Sequence, residues 1–317
     1  MAITPDEKIQ SQHEYCNLIE WWNAGYSGQG VGVWNCEGFT DHGKISRKRI
    51  IQAAPNANVF SGSISQTKSL NTDVSDDATV MLDDGSRDLV GIPLEQFLID
   101  NKIRVVTASL QPSPFQYPGY KVYSYWKKII DKYDLCVFVS SGNDHKKDKK
   151  IDNDGEYIWH IGALNQNKDG DPVRAGYSNG GEGLDFADFT GIWAGTSFSS
   201  PYLAGKCALI RQRFPELNRL QVYEYMKNNC KDLGDIGEDN LFGNGLLIMP
   251  RIENKEEQPM NSVITTTKIL VNGEEKTVRR VMVDDENYIR LRDMEDVLGI
   301  VDVEYDAEKN LPIVNSK

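Results

Sequence analysis

A serine hydroxyl turns nucleophilic at neutral pH only when a neighbouring base takes its proton, and imidazole is the side chain whose ordinary pKa suits that task. The 317 residues contain four histidines, so few places can host such chemistry. His42 stands in DHGKISRKRIIQAAPNANV, whereas His13 comes early, His145 opens the charged stretch HKKDKK and His160 sits inside an apolar run. Among the serines, Ser197 has the most suggestive setting. It lies in GTSFSSP, directly before the apolar segment YLAGKCALI. That spacing puts the hydroxyl at the amino end of a buried helix, where unpaired N–H groups and the helix dipole favour an oxyanion. Pro201 falls in the first turn, where its missing N–H costs little, and Gly195 leaves room for close approach.

Two apolar strand patterns end in small polar residues. VFVSSGND at 137–144 closes on Ser140, Ser141, Gly142 and Asn143, and VVTASLQ at 105–111 closes on Ser109, Leu110 and Gln111. A carboxylate to orient the histidine has three candidates: Glu37, in GQGVGVWNCEG, with Asn35 and Asp41 marking the rival alignments. Asn35 would leave the base without a carboxylate, and Asp41 is adjacent to the histidine and badly placed for it. Four residues separate Glu37 from His42 along the chain, a five-residue step that spans up to about 17 Å.

Together these segments resemble the subtilisin-like serine peptidases. GTSFSSP matches the G-T-S-x-x-x-P nucleophile motif, the order acid, histidine, serine is the one that family uses, and the APNA tetrapeptide follows the histidine as it does there. YIWHIGALNQNKDGDPVRAGYSNGGEGLDFADFTG and LFGNGLLIMPRI resemble the family's later segments, so the likeness spans roughly residues 20 to 252. The resemblance implies that Ser197 attacks, His42 moves the proton and Asn143 donates its amide to the oxyanion. It also implies that Ser109, Leu110, Gln111, Ser140, Ser141 and Gly142 line the substrate cleft. Counting without gaps puts Glu37 at the aspartate position, giving a Ser-His-Glu variant of the triad. Gln111 replaces the family's usual glycine, Lys44 its threonine, and Arg47 and Lys48 its small residues, which makes the helix after His42 more polar than its relatives.

The activity implied is hydrolysis of a polypeptide through an acyl-enzyme, with no cofactor required. Calcium sites are frequent in the family. Here the acidic pairs Asp76-Asp77 and Asp83-Asp84 read as solvated loop, so no metal ligand is assigned. Two alternative readings belong to other classes: a subtilisin fold that only binds peptides or partner proteins, and a wall- or virion-associated protein in which proteolysis is secondary. A sedolisin-type site would need an aspartate where Asn143 stands.

The elements that must position these residues alternate between short β-branched runs and amphipathic helix-length segments, the pattern of an α/β fold with a mainly parallel sheet covered on both faces. Strands are expected at 31–34, 57–61, 104–110, 135–141 and 157–164. Helices are expected at 16–24, 94–101, 120–133, 198–213 and 220–229. In such sheets ligands bind beyond the carboxyl ends of the strands, so functional residues are expected just after strands.

Beyond residue 252 the chain becomes polar. Residues 253–262 read as a linker and 263–317 as a small α+β module: strands around Asn272-Gly273, a helix RLRDMEDVLG, then VDVEYD and LPIVN. This module resembles the copper-amine-oxidase-N-like stalk of bacterial surface proteins and phage lysins, which implies attachment to a cell wall or another protein. A net charge of −12 argues against a grip on nucleic acid, and no apolar run is long enough to insert in a membrane. Five dispersed cysteines write neither a zinc cluster nor a disulfide framework. The opening MAITPDEKIQSQ lacks a secretory signal, so the expected location is cytoplasmic, with phage association or release on lysis as the variant.

Overall fold

Alternation of side chains along each strand gives the sheet two apolar faces, and each face carries its own layer of helices. The computed structural model describes residues 4–38, 40–65, 78–82, 90–109, 122–149 and 155–252, and five C-terminal strands. The chain divides into two compact units, Met1–Ile252 and Glu253–Lys317.

In the first unit, β1 (Gly32–Asn35), β2 (Asn58–Ser65), β5 (Ile103–Ala108), β6 (Cys136–Ser140), β7 (Trp159–Gln166) and β9 (Phe186–Phe189) run parallel, in the order β2-β1-β5-β6-β7-β9. β3 (Thr79–Leu82) and β4 (Val90–Pro93) extend the β2 edge antiparallel, and β8 (Pro172–Arg174) pairs antiparallel with β7. Four expected strands match β1, β2, β5 and β6 to within a few residues. The expected strand at 157–164 is shifted, because Tyr157 and Ile158 lead into β7 rather than belong to it. The antiparallel margins β3, β4 and β8 carry no long apolar run and were not anticipated, nor was the four-residue β9.

One face packs Val33, Val105, Phe138 and Ile161 against α3 (Asp41–Ala53), α6 (Ser199–Arg213) and α7 (Arg219–Asn228). The other packs Trp34, Val106, Val137 and Val139 against α4 (Leu94–Asp100) and α5 (Ser124–Tyr133). Neighbours in sequence, such as Val33 and Trp34 or Val105 and Val106, therefore enter different cores, the period-two rule of a pleated strand. α1 (Pro5–Tyr15) was not anticipated, although Thr4 and Glu7 form a reciprocal capping box on either side of Pro5. It leads into α2 (Leu18–Asn23), a shorter version of the helix expected at 16–24.

α6 is the central element. Nearly all of its residues, from Ser199 to Arg211, are buried, and each fully buried leucine or isoleucine contributes about 1.5–3 kcal/mol of transfer free energy. Two short strands, β10 (Cys230–Lys231) and β11 (Leu246–Leu247), close the unit.

The second unit contains β12 (Ile264–Val271), β13 (Glu274–Val283) and β14 (Glu286–Tyr288) as an antiparallel sheet, and β15 (Asp302–Asp306) with β16 (Leu311–Asn315) as a separate antiparallel pair. Val271 pairs with Glu274, the register of a two-residue hairpin. Asn272-Gly273 and the expected helix RLRDMEDVLG lie outside the described residues.

α3 and α6 touch through Gly205, where a Cβ would stand 2.7 Å from both the Ala53 Cβ and the Ile50 carbonyl oxygen. Gly205→Val is expected to force the two helices apart and to cost about 1–3 kcal/mol of stability, read as a lower urea midpoint with an unchanged m-value. An unchanged midpoint would mean that the two helices are not held at this distance.

Candidate active site

The sheet order reverses direction at β1, which has β2 on one side and β5 on the other, so a crevice opens at the carboxyl ends of β1 and β5. Glu37 follows β1 by two residues, Ser109 directly follows β5, and Asn143 lies three residues beyond β6. α3 and α6 each point their amino-terminal end to the same region, α3 with His42 in its first turn and α6 with Ser197 two residues before it.

The Glu37–His42 connection is a tight reversal. Thr40 caps α3 by accepting the Gly43 N–H at 3.1 Å. A Cβ on Gly43 would lie 2.0 Å from the Gly38 carbonyl oxygen, so only glycine fits. The reversal brings the Glu37 Oε2 to 2.7 Å from the His42 Nδ1, with Glu37 5% exposed and the imidazole 42% exposed. The hydrogen bond to Glu37 holds the His42 pKa above the usual 6.5, overcoming partial burial, which acts in the opposite direction. Among the described residues the other Glu37 oxygen has no partner.

The rival carboxylate positions are accounted for otherwise. Asn35 is buried and donates to the Gly43 carbonyl at 3.1 Å and the Ser61 hydroxyl at 3.3 Å, while its own oxygen accepts the Ser46 hydroxyl at 2.8 Å. Asp41 is fully exposed and lies 3.7 Å from Lys44. The remaining histidines are elsewhere: His13 and His160 are buried, and burial pushes each pKa down to about 3. His145 lies in the exposed loop that follows Asn143.

Ser197 is 8% exposed, and its hydroxyl donates to the Ser109 carbonyl at 3.2 Å. The Ser109 hydroxyl in turn donates to the Ser197 carbonyl at 2.9 Å, so the two serines clasp each other. The His42 ring packs against Phe198, with ring centroids 5.2 Å apart, which sets the imidazole beside the residue that follows the nucleophile candidate. Hydrogen bonds of catalytic groups are often rearranged without substrate and tighten only in the complex.

Asn143 is oriented by a residue that sequence reasoning passed over. The Thr196 backbone N–H, which can only donate, reaches the Asn143 Oδ1 at 2.8 Å, and the Thr196 hydroxyl donates to the same oxygen at 3.1 Å. That assignment leaves the Asn143 Nδ2 available as a donor. The middle residue of the Gly-Thr-Ser run carried this signal.

Of the expected cleft-lining residues, Ser109, Ser140, Ser141 and Gly142 are buried, and Leu110 and Gln111 lie outside the described residues. The Ser141 N–H is used by the Ile161 carbonyl and the Gly142 N–H by the Thr196 hydroxyl, while the Gly142 carbonyl accepts the Asn179 N–H, so the backbone groups of these two residues are engaged within the fold. Asn179 secures the segment by donating to the Ser141 carbonyl and accepting the Asp144 and Lys146 N–H groups. The pairs Asp76-Asp77 and Asp83-Asp84 lie outside the described residues, and among those described no cluster of three His, Cys, Asp or Glu side chains could hold a metal.

A family model described as the subtilase family of peptidases matches residues 37–245. The chain is similar to an extracellular serine protease of Serratia marcescens, 36% identical over 85 residues that make up 27% of this chain and 8% of that protein. It is also similar to subtilisin BL of Lederbergia lenta, 33% identical over 125 residues, 36% of this chain and 44% of that one. It thus spans less than half the length of these relatives. Among solved structures, the MycP3 protease from the type VII (ESX-3) secretion system superposes with a TM-score of 0.52 at 14% identity, over 77% of this chain and 86% of that one. A lanthipeptide protease does so at 0.50 and 13%, over 76% and 93%. At these identities the structural likeness speaks to the fold.

The site makes a prediction of its own. In an NMR titration the His42 ring should lose its proton above pH 6.5, and Glu37→Gln should bring that midpoint down. A midpoint at or below 6.5 in the unaltered chain would show that the carboxylate does not engage the ring.

Proposed function

The chain belongs to the subtilase family, and on that premise we propose that it is a serine endopeptidase with a Ser-His-Glu triad of Ser197, His42 and Glu37. The observation that carries the proposal is the 2.7 Å contact between Glu37 and the His42 Nδ1, because it decides the tautomer. With Nδ1–H donated to the carboxylate, Nε2 carries the free lone pair.

In this reading the Ser197 hydroxyl swings from the Ser109 carbonyl towards Nε2, gives up its proton there and attacks the scissile carbonyl carbon. The oxygen that becomes negative accepts from the Asn143 Nδ2 and the Ser197 N–H. His42 then passes its proton to the departing amine, leaving an acyl-enzyme, and water assisted by His42 releases the acid. Every proton is carried by the chain's own side chains, so the reading calls for no cofactor. The substrate is an extended polypeptide laid between the Ser109–Leu110–Gln111 and Ser140–Ser141–Gly142 segments. For the C-terminal unit we retain attachment to a wall or partner protein, which its antiparallel ribbons suit.

A fluorophosphonate probe should label the unaltered chain and not Ser197→Ala. For peptide hydrolysis, Ser197→Ala and His42→Ala should each lower kcat by about 10⁶ and Glu37→Gln by about 10⁴, the scale of the corresponding losses in subtilisin. Asn143→Ala should cost about 10²–10³, again by analogy with the subtilisin donor. An unlabelled native chain would end the peptidase reading.

The ratio kcat/KM should rise with pH as His42 loses its proton. The sign follows from the bond to Glu37: stabilising the imidazolium moves this rise above pH 6.5, and Glu37→Gln should move it lower while slowing the reaction. A flat profile from pH 5 to 9 would exclude His42 as the base.

A further inference from the structure

Arg49 is a permanent cation with no solvent exposure at all, and its position in α3 is the same face as His42, seven residues and about 10 Å further along the helix. Its guanidinium donates from Nη2 to the Phe189 carbonyl at 2.7 Å and from Nε to the Phe198 carbonyl at 3.2 Å, with Nη1 held by Gln52 at 2.7 Å. The fork lies over the Tyr202 ring at 4.0 Å. Gly191 fits beneath it because a Cβ there would come within 2.9 Å of Nη1.

Phe189 ends β9 and Phe198 directly follows Ser197, so the two carbonyls are the two ends of the segment that carries the nucleophile. One side chain thus closes that loop from a helix that also presents the base. Burial lowers the Arg49 pKa to about 10, and the group stays charged at neutral pH. A buried cation is weak evidence for stability, since apolar residues of similar volume often serve a core as well. Geometry gives it a better reason to be there: a rigid fork reads two carbonyls at once and fixes their separation.

We infer that Arg49 is a positioning residue that sets the distance between His42 and Ser197 by clamping both ends of the 189–198 loop to α3. The inference rests on the peptidase reading for its catalytic consequence, while the clamp itself is a structural property.

The test uses the full chain with Arg49→Met, Arg49→Lys and, as a control, Lys206→Met. Lys206 is an equally buried cation in the adjoining core that makes no bond to the 190–198 segment. Three quantities are measured: the unfolding midpoint, the rate of fluorophosphonate labelling, and amide hydrogen exchange across 190–198. Arg49→Met should label about 10²-fold more slowly, the scale of an ångström-sized misplacement, with KM for a peptide changed far less than kcat. Exchange across 190–198 should accelerate. Arg49→Lys, which reaches one carbonyl at a time, should be intermediate in both. Lys206→Met should lose stability yet keep its labelling rate and loop protection.

Labelling that falls in proportion to stability in all three variants would overturn the inference, and so would native labelling and native exchange in Arg49→Met. If Arg49→Met does not fold, Arg49→Lys against Lys206→Met makes the same comparison. An unlabelled native chain would remove the peptidase reading, and the exchange data would still decide whether the clamp exists.

Discussion

A carboxylate and an imidazole five positions apart meet at 2.7 Å only because the chain turns back on itself between them. The amino end of α3 sits at that turn, and its dipole favours a carboxylate and disfavours an imidazolium. Partial burial also disfavours the charged ring. The hydrogen bond to Glu37 outweighs that burial and holds the His42 pKa above the usual 6.5. The contact assigns the proton to Nδ1 and leaves Nε2 with the free lone pair. The contact in turn depends on Gly43, where the Gly38 carbonyl occupies the space of any side chain.

The second constraint is the setting of α6. Lys206 spends its three ammonium protons on the Asp188 carboxylate at 2.9 Å, the Leu247 carbonyl at 3.0 Å and the Cys16 sulfur at 3.1 Å, all without exposure to water. These bonds run from the middle of the helix to β9, to β11 and to the α1–α2 junction. A helix buried on all sides has no polar face to fix its rotation, so paired charges inside the core do that specifying work.

Much of this was legible because the chemistry is local in sequence. Gly195-Thr196-Ser197 precedes an apolar run, Ser140-Ser141-Gly142-Asn143 ends a strand, and both patterns mark a strand or helix terminus where functional groups collect. Glu37 could be reached by counting from Gly28, since β1 is regular. The mainly parallel sheet followed from doubly covered apolar strands. What escaped was non-local or weakly patterned. β9 is four residues, too short for periodicity, and β3, β4 and β8 are margins whose pairing depends on the strand beside them. Arg49 carries no signal in the sequence, because nothing in its neighbours announces two carbonyls from residues 140 and 149 positions away. Thr196 was visible as part of a motif, but its grip on Asn143 exists only once β6 and α6 come together.

That a glutamate stands where the resemblance expects an aspartate is intelligible from the turn. With only four residues between Glu37 and His42, the backbone of residue 37 is held close to the strand end, and its N–H bonds the Asn35 carbonyl at 2.7 Å. The extra methylene supplies reach that a shorter side chain would lack. It also leaves the carboxylate anchored through one oxygen, since the other has no partner among the described residues. A ring oriented by a single hydrogen bond gains a second restraint from the Phe198 ring at 5.2 Å, itself packed against Trp193 at 6.0 Å. Lys48 lies over the Trp193 ring at 5.5 Å, so α3 braces the aromatic pair that braces its own histidine. Lys48, one of the polar residues that set this helix apart, thus has a place in the packing around His42.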